Sequence, residues 1–321
     1  MEIAKNNKIW DIDNPVGIAI IGAGPAGLTA AIYALRDNKS VLLFEKNEVG
    51  GQIINSTKVT NIPGFKEISG YDFIENLKEQ IMSINSGIIG LVEEEVIDVD
   101  KDNKNKSIIF KIKTNTAEYY AKSVIVATGS TYKTLNVKGE KELIGNGISF
   151  CSTCDAPFYK DKVVAVIGGG NSALTEAIEL SSFAKKVIII QDLEDLTAEQ
   201  SLIDKMCSLK NIDYRTGALV EEFRKTQDGK ISVYYYQWMA EYGENCLFHE
   251  DFDGVFIAIG MQPQNQCVSD ITELSKDGYI LCGHYMIECA GDCKKKTTRQ
   301  VVTACGDGAE AAIKICRKLN K

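Results

Sequence analysis

The sequence predicts an α/β protein of two Rossmann-like, dinucleotide-binding domains with three-layer ββα architecture, the first of them discontinuous. Two observations carry that expectation. The segments GIAIIGAGPAGLTAAIYALR at 17–36 and VVAVIGGGNSALTEAIELSS at 163–182 share one plan: an apolar β-branched run, a glycine-rich turn, then a helix-period stretch. Each is followed by a second apolar run, VLLFE at 41–45 and VIIIQ at 187–191, so each opens a βαβ unit. The two openings start 146 residues apart, which places them in separate domains.

The stretches after each opening also correspond. Residues 93–121 alternate in short polar–apolar strands (IIFKIK, AEYYAK) and lead into SVIVATGS, a buried strand ending at Gly129. Residues 219–250 form a second meander that feeds DFDGVFIAIG. The C-terminal stretch from Glu288 ends in a helix-period segment from about Gly306 and has no counterpart in the first copy. It is expected to return and complete the first domain. No Pro/Ser-rich linker interrupts the chain, so the crossings are expected near 130 and 257. That divides it into 1–130 with 257–321, and an inserted 131–256.

Length and composition agree with two globular domains. The chain has 321 residues, 45% apolar and 25% charged, which is ordinary folded usage. Its formal charge of −8 disfavours nucleic acid and anionic lipid as partners. The first fifteen residues lack the apolar core of a secretory leader, so a cytoplasmic setting is expected. The apolar run 17–35 carries four glycines and Pro25 and reads as strand, turn and helix rather than a membrane span. Ten cysteines in such a chain imply reduced thiols, and only His249 and His284 are available for histidine chemistry. A zinc cluster of histidines or a Ser-His-Asp triad has little to draw on, and no metal is expected.

Three motifs carry chemistry. In Gly22-x-Gly24-x-x-Gly27, around Pro25 and Ala26, Gly22 permits a tight turn and Gly24 close approach to a pyrophosphate. Gly27 lets helix and strand touch. Glu45, 21 residues after Gly24, ends the second strand where an acid would accept from ribose hydroxyls. The second turn, Gly168-x-Gly170-x-x-Ala173, has the neutral Gln191 at that offset, then Asp192. No basic residue occurs in QDLEDLTAEQ at 191–200. Charge-assisted hydrogen bonds to a ribose phosphate are worth roughly 1.5–3 kcal/mol each, so losing two weakens NADPH binding on the order of a hundredfold to ten-thousandfold. In the third motif, Cys151-Ser152-Thr153-Cys154-Asp155, two thiols can close a local disulfide, and Asp155 is the nearest proton carrier. Half a zinc site is the rival reading, but no second CxxC follows. Cysteines 207, 246, 267, 282, 289, 293, 305 and 316 lack such spacing and read as buried small hydrophobes.

Together these residues resemble the low-molecular-weight, flavin-dependent thioredoxin reductase family over almost the whole chain. The matching motifs are GAGPAGLTAAIYALR at 22–36, GGQ at 50–52, NIPGF at 61–65, ATG at 127–129, CSTCD at 151–155, GGGNSA at 168–173 and GDCKKKTTRQVVTACGDG at 291–308. The resemblance implies that the discontinuous domain binds FAD. Gly51, Gln52, Asn61, Thr128 and Gly129 would line the cofactor. Gly291 and Asp292 would meet its ribityl and phosphate region, and Arg299, Gln300 and Val301 its isoalloxazine. It also implies that Cys151 attacks the disulfide of thioredoxin, that Cys154 faces the flavin, and that Asp155 acts as acid/base. A homodimer whose domains swing between two geometries is implied as well.

Departures from the family are equally informative. NADPH-using members carry His-Arg-Arg-x-x-x-Arg-Ala after the second domain's second strand. Aligned on Ala198, this chain has Gln191, Asp192, Leu193 and Thr197 at those positions. It is similar instead to a sub-group in which reduced ferredoxin is the donor. Another departure is Tyr285-Met286 in place of the usual Pro-Gly before GDC. The run Lys294-Lys295-Lys296 to Arg299 is the candidate basic patch for an acidic ferredoxin, against the plainer reading of a solvated turn. Two alternatives stay open: an enzyme using NADH through Gln191 or Asp192, and a flavin-bearing redox sensor without turnover.

Overall fold

A computed structural model of the chain describes residues 10–56, 58–84, 89–102, 108–282 and 284–321. The chain forms two compact units, Met1–Thr131 with Gln262–Lys321, and Tyr132–Met261.

The first unit opens with β1 (Ile18–Ile21), α1 (Pro25–Arg36) and β2 (Val41–Phe44). Pro25 starts α1 because its missing N–H needs no partner in the first turn, and Arg36 suits the negative end of the helix. Then come α2 (Gly70–Ser83), begun by the Ser69 hydroxyl accepting from the Asp72 N–H, and β3 (Ile89–Val92). The strands β4 (Val96–Asp102), β5 (Ile109–Thr114) and β6 (Glu118–Ala121) make an antiparallel meander, and β7 (Val124–Val126) returns to the first sheet.

Strand β8 (Ser130–Tyr132) leads into the second unit, which repeats the plan. There α3 (Glu140–Leu143), β9 (Ile148–Ser149) and α4 (Ser152–Asp155) precede β10 (Val163–Ile167), α5 (Asn171–Ser181) and β11 (Lys186–Ile190). Next are α6 (Gln200–Cys207), β12 (Ile212–Arg215) and the meander β13 (Ala218–Lys225), β14 (Ile231–Met239) and β15 (Glu244–Phe252). Strand β16 (Gly254–Ile257) closes it. The chain re-enters the first unit through β17 (Met261–Pro263), β18 (Glu273–Leu274), β19 (Ile280–Cys282) and β20 (Ile287–Cys289), and ends in α7 (Val301–Leu319).

The first main sheet has the order β20-β7-β1-β2-β3 with every pairing parallel. Strands β1 and β2 are fully buried, and they read as unbroken apolar runs because both faces are covered. Leu28, Leu35, Ile74 and Ile315 from the helices cover one face. Val99, Phe110 and Ile112 of the meander cover the other, giving the ββα layering. The second sheet, β12-β11-β10-β16-β9, is parallel too. Phe223, Val233 and Phe252 lie on one of its sides and Leu174 and Leu180 on the other.

The second crossing falls at 261/262, a few residues beyond the sequence-based position. Strand β16 pairs with both β10 and β9, and the Ala258 N–H still donates to Ile167 O at 2.9 Å, which keeps 254–258 inside the middle sheet. Among the described residues, no helix is long and apolar enough to cross a membrane.

A tight contact between α7 and α1 fixes the returning segment. A Cβ on Gly308 of α7 would stand 2.1 Å from the Ala26 carbonyl oxygen of α1. Gly308→Ala is therefore expected to pry the helices apart and cost about 1–3 kcal/mol, measurable as a lower midpoint in urea unfolding.

Candidate functional site

The carboxyl ends of β1, β7 and β20 are neighbours in the first sheet, and the candidate cofactor residues follow directly after them. Gly22, at φ +104°, turns the chain from β1, and Gly27 packs so closely that a Cβ would lie 1.9 Å from the Gly22 carbonyl oxygen. Gly24 differs. A Cβ there would meet nothing closer than Gly51 Cα at 3.8 Å, so the protein's own packing does not require glycine and the space suits a ligand. Pro25 and Ala26 start α1 beside it. The Glu45 carboxylate accepts from the Ala23 N–H at 2.9 Å and so braces the turn.

Other candidates converge on the same unit. The Gln52 amide donates to the Ser130 carbonyl. The Asn61 amide donates to Gln300 Oε1 at 3.1 Å, and Gln300 caps α7, whose first residue is Val301. Thr128 donates its hydroxyl to Asn265 Oδ1 at 3.0 Å, while Gly129 turns at φ +70°. Arg299 lies over the Tyr279 ring, 4.4 Å from its centroid. Gly291, at φ +78°, donates its N–H to Asp307 Oδ2 at 3.2 Å.

Two buried polar atoms here lack hydrogen bonds: Asp292 Oδ1 and Arg299 Nε. Burial raises the Asp292 carboxyl's pKa, against the pull of Lys296, whose Nζ stands 3.4 Å away. A buried donor and a buried acceptor so weakly satisfied fit a polar cofactor such as FAD.

The lysine run is not a free cationic patch. Lys294 and Lys296 both pair with Asp307 at 2.9 Å, and Lys295 with Asp277 at 3.3 Å. Each of the three lysines has an acid partner that lies distant in sequence or on the next helix.

In the second unit, Cys151 and Cys154 form a disulfide with Cα atoms 5.3 Å apart. Cys151 caps the one-turn α4, its Sγ accepting from the Cys154 N–H at 3.2 Å. Asp155 Oδ2 accepts from the Ser149 hydroxyl at 2.6 Å, and Ser149 Oγ accepts from the Cys151 N–H at 3.1 Å. A carboxylate, a hydroxyl and the first cysteine are thus joined in one chain of hydrogen bonds. Glu179 Oε2 accepts from both Ser152 Oγ at 2.8 Å and Thr153 Oγ1 at 3.0 Å. Sequence reasoning missed Ser149 and Glu179. The only signal was an acid on the helix after the second glycine turn.

The second glycine turn is covered by the loop that follows β11. Gln191 is buried, with its side chain over Gly169, where a Cβ would lie 2.7 Å from Gln191 Cδ. The Thr197 N–H donates to the Gly169 carbonyl at 2.9 Å. Asn171 accepts from the Glu199 N–H at 2.7 Å and donates to Glu199 Oε1 at 3.2 Å. Acids and amides thus stand where a nucleotide phosphate would need cations. Of the remaining cysteines, 267, 293 and 316 are buried as expected, while Cys207 is exposed on α6, and the side chain of Cys282 lies outside the described residues. An amphipathic helix exposes whatever its polar side carries, and spacing alone does not place Cys207 on the covered side.

Comparison with known proteins agrees with this geometry. The chain matches the family described as pyridine nucleotide-disulphide oxidoreductase over residues 16–317. It is 38% identical over 309 residues to a thioredoxin reductase of Peptoclostridium acidaminophilum, covering 94% of this chain and 96% of that protein. This chain belongs to that family, in its low-molecular-weight thioredoxin reductase branch. The thioredoxin reductase of Bacillus subtilis (strain 168) is 37% identical, with 95% and 93% covered. The crystal structure of a Streptococcus pyogenes thioredoxin reductase superposes with a TM-score of 0.86 at 33% identity, covering 95% of this chain and 98% of that one. The family uses FAD, and the crevice described above fits it.

Asp307 was not singled out by spacing, yet it gathers Lys294, Lys296 and the Gly291 N–H. Burial alone would raise its carboxyl's pKa, but the two lysines hold it below the ordinary value. Its folded pKa is depressed, so its stabilisation is present at neutral pH and lost as the solution is acidified through that value. Asp307→Asn should cost roughly 2 kcal/mol at neutral pH and nearly nothing in strong acid, as read by denaturant unfolding at the two pH values.

Proposed function

We propose that this flavoprotein disulfide oxidoreductase reduces thioredoxin with electrons from reduced ferredoxin, using no pyridine nucleotide. The loop over the second glycine turn carries this reading, with Gln191 buried against Gly169 and no basic residue from 191 to 200. The NADH alternative needs Gln191 or Asp192 to reach a ribose, and Gln191 is already committed to the turn.

The first unit's residues would hold FAD. Gly22, Gly24, Pro25, Ala26 and Gly27 would take the pyrophosphate at the start of α1, and Glu45 the adenosine ribose. Gly51, Gln52, Asn61, Thr128 and Gly129 would line it, with Gly291 and Asp292 at the ribityl and phosphate region and Arg299, Gln300 and Val301 along the ring. When bound, FAD accepts electrons singly and yields them as a pair, matching a one-electron carrier to a two-electron disulfide.

In the second unit, the reduced Cys151 thiolate would attack a sulfur of the thioredoxin disulfide. One bond forms to Cys151 and the partner's S–S bond breaks. The Cys154 thiolate would then attack Cys151, releasing dithiol thioredoxin and restoring the Cys151–Cys154 bond. Asp155, linked through Ser149 to the Cys151 backbone N–H, would hold the proton exchanged at the sulfurs. A homodimer and a cytoplasmic setting go with this reading.

Anaerobic absorbance titration tests the donor. Reduced ferredoxin should bleach the flavin within turnover time, whereas NADH and NADPH at matched concentration should not, and rapid bleaching by NADPH would refute the proposal. For the acceptor, Cys154→Ser should trap thioredoxin as a stable mixed disulfide on Cys151, visible on a non-reducing gel. Cys151→Ser should trap none, while a sensor without turnover would yield no adduct in either variant.

A further inference from the structure

Behind the disulfide, helix α5 carries two acids three residues apart, so both lie on the side that meets α4. Glu179 Oε2 accepts hydrogen bonds from the Ser152 and Thr153 hydroxyls on α4. Glu176 is placed otherwise: its Oε2 is buried without a hydrogen-bond partner. Burial first, and then the Glu179 charge, push the Glu176 carboxyl up to about 8, against a smaller opposing effect of the Ser152 backbone N–H. Ser152 directly follows Cys151, so this carboxyl meets the backbone next to a redox sulfur.

The elements packed on α5 carry other charged or titratable groups. They are Asp155 on α4, Tyr159 in the turn after it, Lys186 on β11, Asp204, Lys205 and Cys207 on α6, and Asp213, Tyr214 and Arg215 on β12. Lys186 is paired with Asp213 and Arg215 with Glu250. The charge acting on Glu176 is that of Glu179.

We propose that Glu176, buried behind the disulfide turn beside Glu179, sets the proton balance of the Cys151–Cys154 couple, serving as a positioning residue rather than a catalytic one. This rests on the disulfide being the redox centre and not on which donor feeds it. Breaking the S–S bond with two electrons, from the flavin in turnover or from a dithiol reagent, leaves two thiolates that draw protons from solvent. Where Glu176 is ionised beforehand, new negative charge at the sulfurs draws a further proton onto it. Reduction then takes up more protons than the sulfurs alone require.

The test uses the full-length protein equilibrated with dithiothreitol, the dithiol fraction being read by alkylation and mass spectrometry. Glu176→Gln keeps the shape and fixes the neutral form. Below about pH 7 its equilibrium constant should match wild type, since both are uncharged at 176. Near pH 9 it should be about three- to tenfold larger, roughly 15–30 mV. Infrared spectra at neutral pH should show a protonated-carboxyl band in wild type that Glu176→Gln lacks. The same ratio at both pH values, or an unchanged band, would overturn the proposal.

Should Glu176→Gln fail to fold, Glu179→Gln serves instead: removing the neighbouring charge should shift the pH-dependent step toward the ordinary carboxylate range, and an unmoved step overturns the proposal. Neither measurement involves ferredoxin or thioredoxin, so failure of the donor reading leaves this result interpretable. A stability readout follows from the same raised pKa. The folded protein binds this proton more tightly than the unfolded chain, so the stabilisation is full below about 4.5 and is lost as pH rises through about 8. Wild-type unfolding midpoints should fall over that window more than those of Glu176→Gln.

Discussion

The first site depends on how closely two backbones approach at the start of α1. With a Cβ at Gly27 the helix could not sit on the turn, and with one at Gly308 it could not accept α7 on its other side. Nine of the twelve residues of α1 are buried, which explains an apolar sequence with no clear polar face. Such a helix needs cover all round. The sheet supplies one side and the C-terminal helix another, so the discontinuity of the first unit is a packing requirement. The same placement brings Gly291, Asp292 and the 299–301 segment to the crevice at the ends of β1 and β7.

The second unit shows that the scaffold and its use can part. Gly168 keeps the tight turn at φ +120°, and Gly170 still precedes the helix. What lies over the turn is the chain's own loop. A nucleotide would have to dislodge Gln191 and break the Thr197–Gly169 and Asn171–Glu199 hydrogen bonds, each worth about 0.5–1.5 kcal/mol. It would then meet Glu199 and the acids of the same loop at close range. The absence of cations from 191–200 and the side chain of Gln191 over Gly169 act in the same direction.

What could be read from the chain and what could not divide along local and non-local lines. The two openings were legible because unbroken apolar runs give way at glycines to period-3.6 stretches, a change visible within twenty residues. The cysteine turn was equally plain. Non-local pairings were not: β16 resembles an exit strand until its hydrogen bonds to β10 and β9 show it to be internal. The run 294–296 looks basic in sequence, and only the fold brings Asp277 and Asp307 to it. Glu176 and Glu179 look like ordinary helix surface. Their role depends on α4 packing against that side, which no spacing within α5 reveals.

That the second unit keeps the whole βαβ opening beneath this loop has a mechanical basis. Helix α5 has two tasks at different points along its length. Its first residue, Asn171, holds the covering loop through Glu199, and its later turns set Glu176 and Glu179 behind the disulfide. Those carboxyls stay in place only while α5 is seated on β10 and β11, and that seating requires the Gly168 turn, where a Cβ would lie 2.8 Å from the Ala258 carbonyl oxygen. The glycines of the second opening are thus needed to hold the helix down even when no phosphate is offered to it. Their presence reflects the packing of α5 on the sheet, whatever ligand the unit takes.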